Sequence, residues 1–295
     1  MSALSASLRD PAAVAASLDA ARAAAATAAE AAGIRVATPH RPEDLEAAAA
    51  VWRRVWDRDV DPPVSAEMLR ALTHAGNYLS TAVAGDRVAG ALLGFFGGDG
   101  GVELLHSHIL GVDPGMDGRG VGYALKLHQR AWALQRGLRR ITWTYDPLVR
   151  RNGHFNLVKL GARGEQYLVD FYGAMADAIN GGDHTDRILV SWDLDSPPPP
   201  APPLLDAEEW RARGAAVALD VDAGERPLPA DVDGADAVLC ATPRDIVAMR
   251  RTDPERARAW RRALREAMLD AGERGLRPVS MARGGWYVLA RDGAA

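Results

Sequence analysis

The chain has 295 residues, carries a net charge of −4 with its histidines neutral, and has a sequence pI near 6.0. Hydrophobic residues make up 48% of the sequence and charged residues 25%, which is typical of an ordinary soluble globular protein. The acidic balance argues against nucleic acid as a bulk partner. The single cysteine, Cys240, excludes an internal disulfide and a cysteine-based metal site. Neither a secretion signal nor a membrane-spanning run is recognisable, so we expect a cytoplasmic protein without a membrane partner.

The first segment, residues 1–33, is rich in alanine and is predicted to be a helix. Asp10-Pro11 is a typical helix start, and Gly33 is a typical helix end. The apolar face of this helix is narrow. We therefore expect it to pack on the body of the protein or on a second copy of the chain in a homodimer.

The next elements are predicted from apolar periodicity and from turn residues. A strand at 34–37 precedes two helices, which begin at Pro42 and at Ser65. Residues 78–84 and 87–96 then read as the two strands of a hairpin. The order so far is strand, helix, helix, strand, strand.

A strand at 104–112 follows, and it carries two histidines. Because successive side chains of a strand point to opposite faces, alternate residues should share a face. Asp113-Pro114 ends this strand, since proline cannot donate to a ladder. A glycine-rich loop then leads into a helix with an apolar face. The alternation predicts one face made of Leu104, His106, His108, Leu110 and Val112.

A strand that runs through a glycine-rich loop into a helix is a place to bind phosphate, because exposed amides and the helix dipole favour an anion. A nucleotide P-loop would end in Gly-Lys-Ser/Thr, which does not follow here. A dinucleotide loop needs G-x-G-x-x-G, whereas Gly118, Gly120 and Gly122 recur at every second position. A glycine-rich turn without a ligand is a further alternative.

The loop resembles the pyrophosphate loop of the GNAT superfamily of acyl-coenzyme A N-acyltransferases. Val112-Asp113-Pro114 and then Gly118-Arg119-Gly120-Val121-Gly122 match that pattern in order and spacing, and the preceding element order agrees with it. Asp117 departs from the pattern, because glutamine or arginine usually stands there, and Arg119 could supply the missing cation. The resemblance implies an α/β (α+β) GNAT fold with a mixed, mostly antiparallel central sheet flanked by helices. It also implies acetyl-CoA or another acyl-CoA, such as succinyl-CoA, as the cofactor, and no metal.

The segment after the loop helix supports the same resemblance. A strand at 140–146 precedes a helix at 150–161, and two further strands are predicted at 166–173 and 187–194. The helix ends in Lys-Leu-Gly as GNAT helices do, but Leu157 stands where a tyrosine usually acts as the general acid. The tract from Trp143 to Trp192 resembles a poorly characterised bacterial GNAT family of about this length. Some of its relatives are associated with N-acylation or N-succinylation of amino acids.

A proline run at 196–203 is predicted to be a stiff linker and gives the domain boundaries. The predicted parts are an N-terminal helix at 1–33, a GNAT domain at 34–195, the linker, and a smaller C-terminal α+β subdomain at 204–295. The last part is expected to complete the core or to cover the acceptor pocket. Its strands are predicted at 215–219, 237–241, 279–282 and 286–289, and two helices begin near Pro243 and Pro254. A solvated helix face is predicted from Arg256, Arg258, Arg261, Arg262 and Arg265.

N-acyl transfer needs a base for the acceptor amine, a donor to the thioester carbonyl and an acid for the leaving thiolate. His106 and His108 are the predicted bases, and the pair is similar to the His-x-His of arylalkylamine acetyltransferases. The alternative is a hydrogen-bonded core pair without a catalytic role. Glu103 is the rival base, although parity places it on the opposite face unless a β-bulge re-aims it. Tyr145 is the predicted acid.

The resemblance also implies the cofactor contacts. The backbone amide of Leu110 should donate to the carbonyl, and Val112 should pair with the pantetheine amides. The acceptor is expected to be a small-molecule amine or an amino acid. Two other functions remain open: a non-catalytic acyl-CoA sensor, and a scaffold that dimerises through the N-terminal helix. The expected cofactor-binding residues are Leu110, Gly111, Val112, Asp117, Gly118, Arg119, Gly120, Val121, Gly122, Tyr123, Asn152 and Asn156.

Overall fold

A computed structural model describes residues 11–56, 62–98, 104–173, 183–198, 204–232 and 234–291 of the chain. The described residues form two compact units. Unit one lies within Met1–Val55, Asp59–Ile141 and Leu194–Pro197, and unit two lies within Trp56–Arg58, Thr142–Asp193 and Pro198–Ala295. This division falls inside a strand, whereas the boundaries proposed from the sequence fall at the proline run.

Unit one consists of helices around an antiparallel sheet. Its helices are α1 Pro11–Ala31, α2 Pro42–Val55, α3 Ala66–His74 and α4 Val121–Gln135. Its strands are β1 Arg35–Ala37, β2 Tyr78–Ala84, β3 Arg87–Gly97 and β4 Leu104–Val112. They lie in the order β1-β2-β3-β4, and each neighbouring pair is antiparallel. The predicted order of elements is therefore confirmed, as is the mixed α/β fold with a mostly antiparallel sheet.

Local sequence chemistry explains where these elements begin and end. Ser65 caps α3 by accepting a hydrogen bond from the Met68 amide. Gly33 has φ +66°, and the amide of Ile34 bonds back to the Ala29 carbonyl, which ends α1 as the sequence predicts. In the core, the indole of the fully buried Trp52 donates to the Ala91 carbonyl at 3.2 Å and fixes α2 on β3.

Unit two contains most of one strand and two complete strands, namely β5 Arg140–Tyr145, β6 Arg163–Leu168 and β7 Arg187–Asp193. The part of β5 that belongs to unit two begins at Thr142. In the sheet the three strands lie in the order β5-β7-β6. Helix α5 Arg150–Gly153 continues into a π-helical turn at His154–Lys159. The helical prediction for 150–161 is thus confirmed. The strand predicted at 166–173 is wrong beyond Leu168, because Asp170 adopts φ +46° and turns the chain.

The C-terminal part of unit two builds a second sheet. Its strands are β8 Ala216–Val221, β9 Pro227–Pro229, β10 Ala237–Ala241, β11 Arg277–Ala282 and β12 Trp286–Ala290. The described residues order them β11-β12-β10-β8-β9, with only the β10–β8 pair parallel. The helices are α6 Ala207–Ala212, α7 Ile246–Thr252 and α8 Pro254–Glu273. The α+β character predicted for this region is present.

Helix α8 carries Arg261 into the interior, which corrects the prediction of a solvated face at that residue, whereas Arg258 and Arg262 are exposed as predicted. Arg261 is 1% exposed and donates to both carboxylate oxygens of Asp146, at 2.9 and 3.0 Å. It also donates to Asp183 at 3.3 Å. Arg250 binds Asp146 at 2.6 Å, and Arg265 makes two bonds to Asp186. Arg261 is buried because it binds two carboxylates, Asp146 and Asp183, that lie far from it in sequence. Helical periodicity alone could not identify these partners.

None of the helices among the described residues is both long enough and apolar enough to cross a bilayer.

Candidate functional site

Strand β4 contains a β-bulge at the second histidine. Leu93 on β3 pairs with Ile109, and the next residue, Gly94, pairs with Ser107. His108 is therefore the extra residue on β4. A bulge of this kind shifts the alternation of side chains between the two faces of the strand. The single face predicted from residue 104 to residue 112 is consequently wrong beyond His108.

The side chains of β4 that face α4 have odd residue numbers before the bulge and even residue numbers after it. Before the bulge, the buried Ser107 hydroxyl meets Lys126 of α4 at 2.8 Å. After the bulge, a Cβ placed on Gly122 of α4 would lie 3.6 Å from a Leu110 methyl and 3.7 Å from a Val112 methyl. Leu110 and Val112 therefore turn toward the start of α4.

The histidine rings share one side of the sheet, as predicted. Their centroids are 6.4 Å apart. Both rings contact Phe95, at 5.2 Å for His106 and 5.4 Å for His108. His106 is half-buried and His108 is exposed. The pair is thus reachable from solvent through His108.

Burial, together with His108 and Lys126, lowers the pKa of His106 to about 4. Burial also lowers the pKa of His108. Both imidazoles are therefore neutral at pH 7, and a neutral ring has a lone pair that can accept a proton. The low pKa of His106 makes it a weak base, so proton transfer to it gains from tight positioning of the acceptor amine.

Lys126 bonds to Ser107, the residue between the two histidines, and was not identified from the sequence. Its side chain is 2% exposed, and burial lowers its pKa well below the ordinary lysine value. It contributes to the lowered pKa of His106. One signal was available, because Lys126 interrupts the apolar run Ala124-Leu125-Lys126-Leu127 of α4 and is one of only two lysines in the chain.

The loop between β4 and α4 leaves the start of α4 open. Gly118 and Gly120 adopt φ +76° and +84°, a region that a side chain rarely occupies, which explains the two glycines. Gly120 is the N-cap of α4 and has no side chain that could cap the helix. The first helical bond runs from the Ala124 amide to the Gly120 carbonyl. The amides of residues 121 and 122 therefore have no acceptor within the helix.

Asp113 fixes the entry to this loop. Its carboxylate accepts from the Gly115 amide at 3.1 Å and from Arg54 at 3.2 Å, and Arg87 lies 3.6 Å away. Asp117 and Arg119 are both exposed, and an Arg119 guanidinium nitrogen lies 3.3 Å from the sulfur of Met116. The loop is anchored at its first turn and exposed at Gly118.

The remaining predicted residues differ in how well they fit their roles. Glu103 lies outside the described residues. Tyr145 belongs to unit two, and burial raises the pKa of its phenol, whose oxygen is enclosed. Its role as acid stays a prediction, and the enclosure counts against it. Asn152 is half-buried, and its role stays a prediction too. Asn156 is buried and accepts from the Trp143 indole at 3.1 Å, so its geometry gives no support to a cofactor contact.

Within the residues that the structure describes, no group of three His, Cys, Asp or Glu side chains is placed to hold a metal ion.

Comparison with known proteins gives one family match. Residues 16–147 match the family model described as an acetyltransferase (GNAT) domain. No curated protein matches the chain. The more specific bacterial family suggested by the sequence stays a prediction.

Solved structures with similar folds include several acetyltransferases. An N-acetyltransferase from Staphylococcus aureus Mu50 is 14% identical, with 55% of this chain and 98% of that chain covered and a TM-score of 0.46. The ribosomal-protein-S18-alanine N-acetyltransferase from Escherichia coli is 14% identical, with coverages of 55% and 94% and a TM-score of 0.44. A GNAT family acetyltransferase from Elizabethkingia anophelis with acetyl-CoA bound is 15% identical, with coverages of 55% and 98% and a TM-score of 0.39.

Proposed function

We propose that the chain is an acyltransferase of the GNAT superfamily, because its residues 16–147 match the acetyltransferase (GNAT) domain, and that it transfers an acyl group from acyl-coenzyme A to the amine of a small molecule. The acyl group is acetyl or succinyl, and the acceptor is an amino acid or a related metabolite. The observation that carries this proposal is the open start of α4 directly after β4, with two histidines on the same strand.

The open start of α4 suits the diphosphate of coenzyme A. The amides of residues 121 and 122 have no acceptor within the helix, and the helix dipole adds a favourable field for an anion. Gly118 and Gly120 have no neighbour within 4 Å of an added Cβ, so the backbone is open to a ligand. Arg119 supplies a cation on the same loop, which offsets the carboxylate of Asp117.

The β-bulge supports a role for β4 in binding the acyl group. A bulge interrupts the regular ladder, so backbone groups next to His108 are left for another partner. The amide of Leu110 lies two residues further along and is the proposed donor to the acyl carbonyl. Bound coenzyme A would present the acyl group as a thioester, which is open to attack by an amine.

His106 and His108 would prepare the acceptor. An ammonium has no lone pair, so the acceptor must lose a proton before it attacks. The neutral imidazole of His106 takes that proton, and the exposed His108 passes it to solvent. Transfer is direct, with donor and acceptor bound together, because positioning replaces a bimolecular encounter. The amine nitrogen bonds to the acyl carbon as the carbon–sulfur bond breaks, and coenzyme A leaves as a thiolate that takes the second proton of the nitrogen, directly or through water.

Cofactor binding is tested by calorimetric titration of acetyl-CoA into the wild type and two glycine variants. Gly120→Ala and Gly137→Ala both place a side chain at positive φ, +84° and +74°, with no clash in either case. Both should cost similar stability, but only Gly120→Ala should weaken acetyl-CoA binding, by about tenfold or more for one lost anion contact. Equal affinity for the two variants would contradict the proposed loop.

Catalysis is tested by measuring coenzyme A release with a panel of amino acids. His106→Gln should lower kcat by about 10²- to 10⁴-fold, the range of general-base catalysis, and leave acetyl-CoA affinity unchanged. His74→Gln changes an exposed histidine at the end of α3 and serves as the control. A thermal-shift panel of acetyl-, propionyl- and succinyl-CoA identifies the preferred donor.

A second function, a non-catalytic acyl-CoA sensor, is favoured by one observation. Leu157 is buried at the position usual for the acid, and the phenol of Tyr145 is enclosed. A sensor would bind acetyl-CoA through the same loop but release no coenzyme A with any acceptor.

A further inference from the structure

Unit one contains a pocket of about 410 Å³ between α1, β1 and the second half of α4. All of its lining residues belong to unit one, and none of them lies on β4 or on the loop at residues 117–122. The proposed acyl transfer therefore does not use it. Small-molecule sites commonly have volumes of about 300–1,000 Å³, so the pocket is large enough for a small ligand.

Much of the pocket wall is made of alanines. Ala25, Ala26 and Ala29 of α1 line it together with Ala131 of α4. An alanine side chain extends only one carbon from the backbone, so this wall leaves space that larger side chains on α1 would occupy. An apolar ligand that fills this space gains from leaving water.

Two rings of α4 line the pocket beside the alanines. The Trp132 indole is fixed by its neighbours, because Tyr78 meets it edge-on with centroids 5.0 Å apart and the Arg136 guanidinium lies 3.6 Å from its centroid. The His128 ring lies 5.9 Å from that of Tyr78. Aromatic rings pair favourably beyond the area that they bury, so these fixed rings favour an aromatic ligand.

His128 gives the pocket one oriented polar group. Its Nδ1 lies 2.9 Å from the Tyr78 hydroxyl, which also meets the Ser80 hydroxyl at 2.8 Å. Because Nδ1 is engaged, Nε2 is the ring nitrogen that can serve a ligand. Nε2 is a donor if Tyr78 gives its proton to Nδ1, and an acceptor if Tyr78 gives its proton to Ser80. A ligand hydroxyl can both donate and accept, so it suits either arrangement.

The residues that line the pocket carry no uncompensated charge. Burial lowers the pKa of His128, so its ring is neutral at pH 7. Arg22, the charged residue of the lining, forms an ion pair with Asp19 at 3.5 Å. An ion that entered the pocket would lose its hydration without gaining a counter-ion. An uncharged ligand is therefore favoured over an anion or a cation.

We propose that this pocket binds a small uncharged phenolic compound, with its ring beside Trp132 and the alanines and its hydroxyl on Nε2 of His128. The site is additional to the acyl-coenzyme A site and does not rest on the proposed transfer. The alanine wall sets the size of the ligand, and His128 sets the position of its hydroxyl.

The test is calorimetric titration of the full chain at pH 7 with phenol, toluene, naphthol and naphthoate. Naphthol should bind about five- to twentyfold more tightly than phenol, because its second ring buries more apolar area. Naphthoate has the same rings with a carboxylate in place of the hydroxyl. It should bind about tenfold or more weakly than naphthol, because its charge has no partner in the pocket.

Three variants test the parts of the pocket, and circular dichroism checks that each is folded. His128→Asn keeps an amide near Tyr78 but removes Nε2. It should weaken phenol binding about three- to tenfold, as expected for one hydrogen bond, and change toluene binding by less than about twofold. Ala29→Leu should weaken every ligand about tenfold or more, since the added carbons occupy space that the ligand needs. Ala24→Leu makes the same change at an exposed position of α1 outside the lining and should alter affinity by less than about twofold.

Each alternative outcome overturns the proposal. Absence of phenol and naphthol binding to the wild type would rule out the site. Equal affinity for naphthol and naphthoate would contradict a preference for uncharged ligands. Equal losses of phenol and toluene binding in His128→Asn would exclude the hydrogen bond, and full binding by Ala29→Leu would place the ligand elsewhere. Displacement of naphthol by acetyl-CoA would assign the pocket to the cofactor site, whereas a failure of acetyl-CoA to bind bears only on the proposed transferase.

Discussion

Lys126 on α4 donates a hydrogen bond to Ser107 on β4, with 2.8 Å between Nζ and Oγ and both side chains buried in unit one. Burial lowers the pKa of Lys126 well below its ordinary value. Between the folded and the unfolded pKa, the unfolded chain binds the extra proton, so the free energy of unfolding rises with pH across that window.

Lys126→Met removes this dependence. The variant should be more stable than the wild type at pH 6, by about 1–3 kcal/mol, because a buried charge is replaced by a packed apolar chain. The advantage should shrink as pH approaches about 10.4, the unfolded lysine value. Urea denaturation at several pH values measures it. Lys159→Met alters the other lysine, which is exposed, and should show no such trend.

The lowered pKa of His106 predicts the pH below which kcat falls, which is the acid limb of the pH–rate profile. With a pKa of about 4, His106 stays neutral down to about pH 5, so kcat at saturating substrates should be flat there and fall only at lower pH. Lys126→Met should move this limb to higher pH, because Lys126 contributes to the lowered pKa. Circular dichroism at each pH checks that the fold persists. A limb at the ordinary histidine value of about 6.5 would exclude His106 as the base.

The carboxylate of Asp146 stabilises unit two through Arg261 and Arg250. Burial alone would raise its pKa, but the two guanidinium groups hold that pKa below its usual range. Asp146→Asn would leave buried arginines without this partner and should cost about 3–5 kcal/mol in the free energy of unfolding. Asp270→Asn, in an exposed pair with Arg274, should cost about 0.5 kcal/mol or less.

Asp146→Asn and Asp270→Asn should also differ in how their free energy of unfolding depends on pH. An acid whose pKa is lowered in the folded state contributes stability above its unfolded value of about 3.9, and this contribution is lost as pH falls toward the folded value. Asp146→Asn should therefore show a shallower loss of stability below pH 4 than the wild type. Parallel curves would contradict the assigned ion pairs.

Two glycines of the β11–β12 hairpin should respond differently to alanine. Gly284 and Gly285 have φ +83° and +87°, so each substitution should cost about 1–2 kcal/mol of backbone strain. At Gly284 the new Cβ would meet Trp286 at an ordinary 3.7 Å, but at Gly285 it would displace Arg150 from Thr242. Gly285→Ala should cost about 1.5–3 kcal/mol more, as expected for hydrogen bonds to a charged group.

A double-mutant cycle checks the cause of this difference. In an Arg150→Ala background the two alanine substitutions should cost the same, since the clash is gone. Thermal or urea denaturation of the five variants and the wild type gives the coupling directly. A difference that persists without Arg150 would point to backbone strain alone.

The sequence predicted the parts of the fold that depend on local chemistry. Gly33, Ser65 and Pro42 mark element ends because caps and turns act over a few residues. The face exchange at His108 could not be predicted, because a bulge is a property of two paired strands and β4 shows no local sign of it. The interior position of Arg261 was missed for a related reason, since its partner Asp146 lies 115 residues away.

In the candidate site, too, the features set by local sequence were predicted and those set by distant residues were missed. The loop at residues 117–122 was predicted because its glycines lie close together in sequence and follow a strand. Lys126 was missed because a lysine in a helix is usually exposed, and only the position of Ser107 on β4 makes it internal. The enclosure of Tyr145 likewise depends on residues from the C-terminal sheet of unit two.

Asp146, Asp183 and Asp186 precede the proline run, whereas the arginines that neutralise them, Arg250, Arg261 and Arg265, follow it. A gene split at residue 197 would therefore separate these anions from their counter-ions. The first fragment should be recovered in insoluble form, and co-expression of the second should restore a soluble product by complementation. The matched segment at residues 16–147 includes Asp146, so one of its own buried carboxylates is neutralised by arginines that lie beyond the proline run.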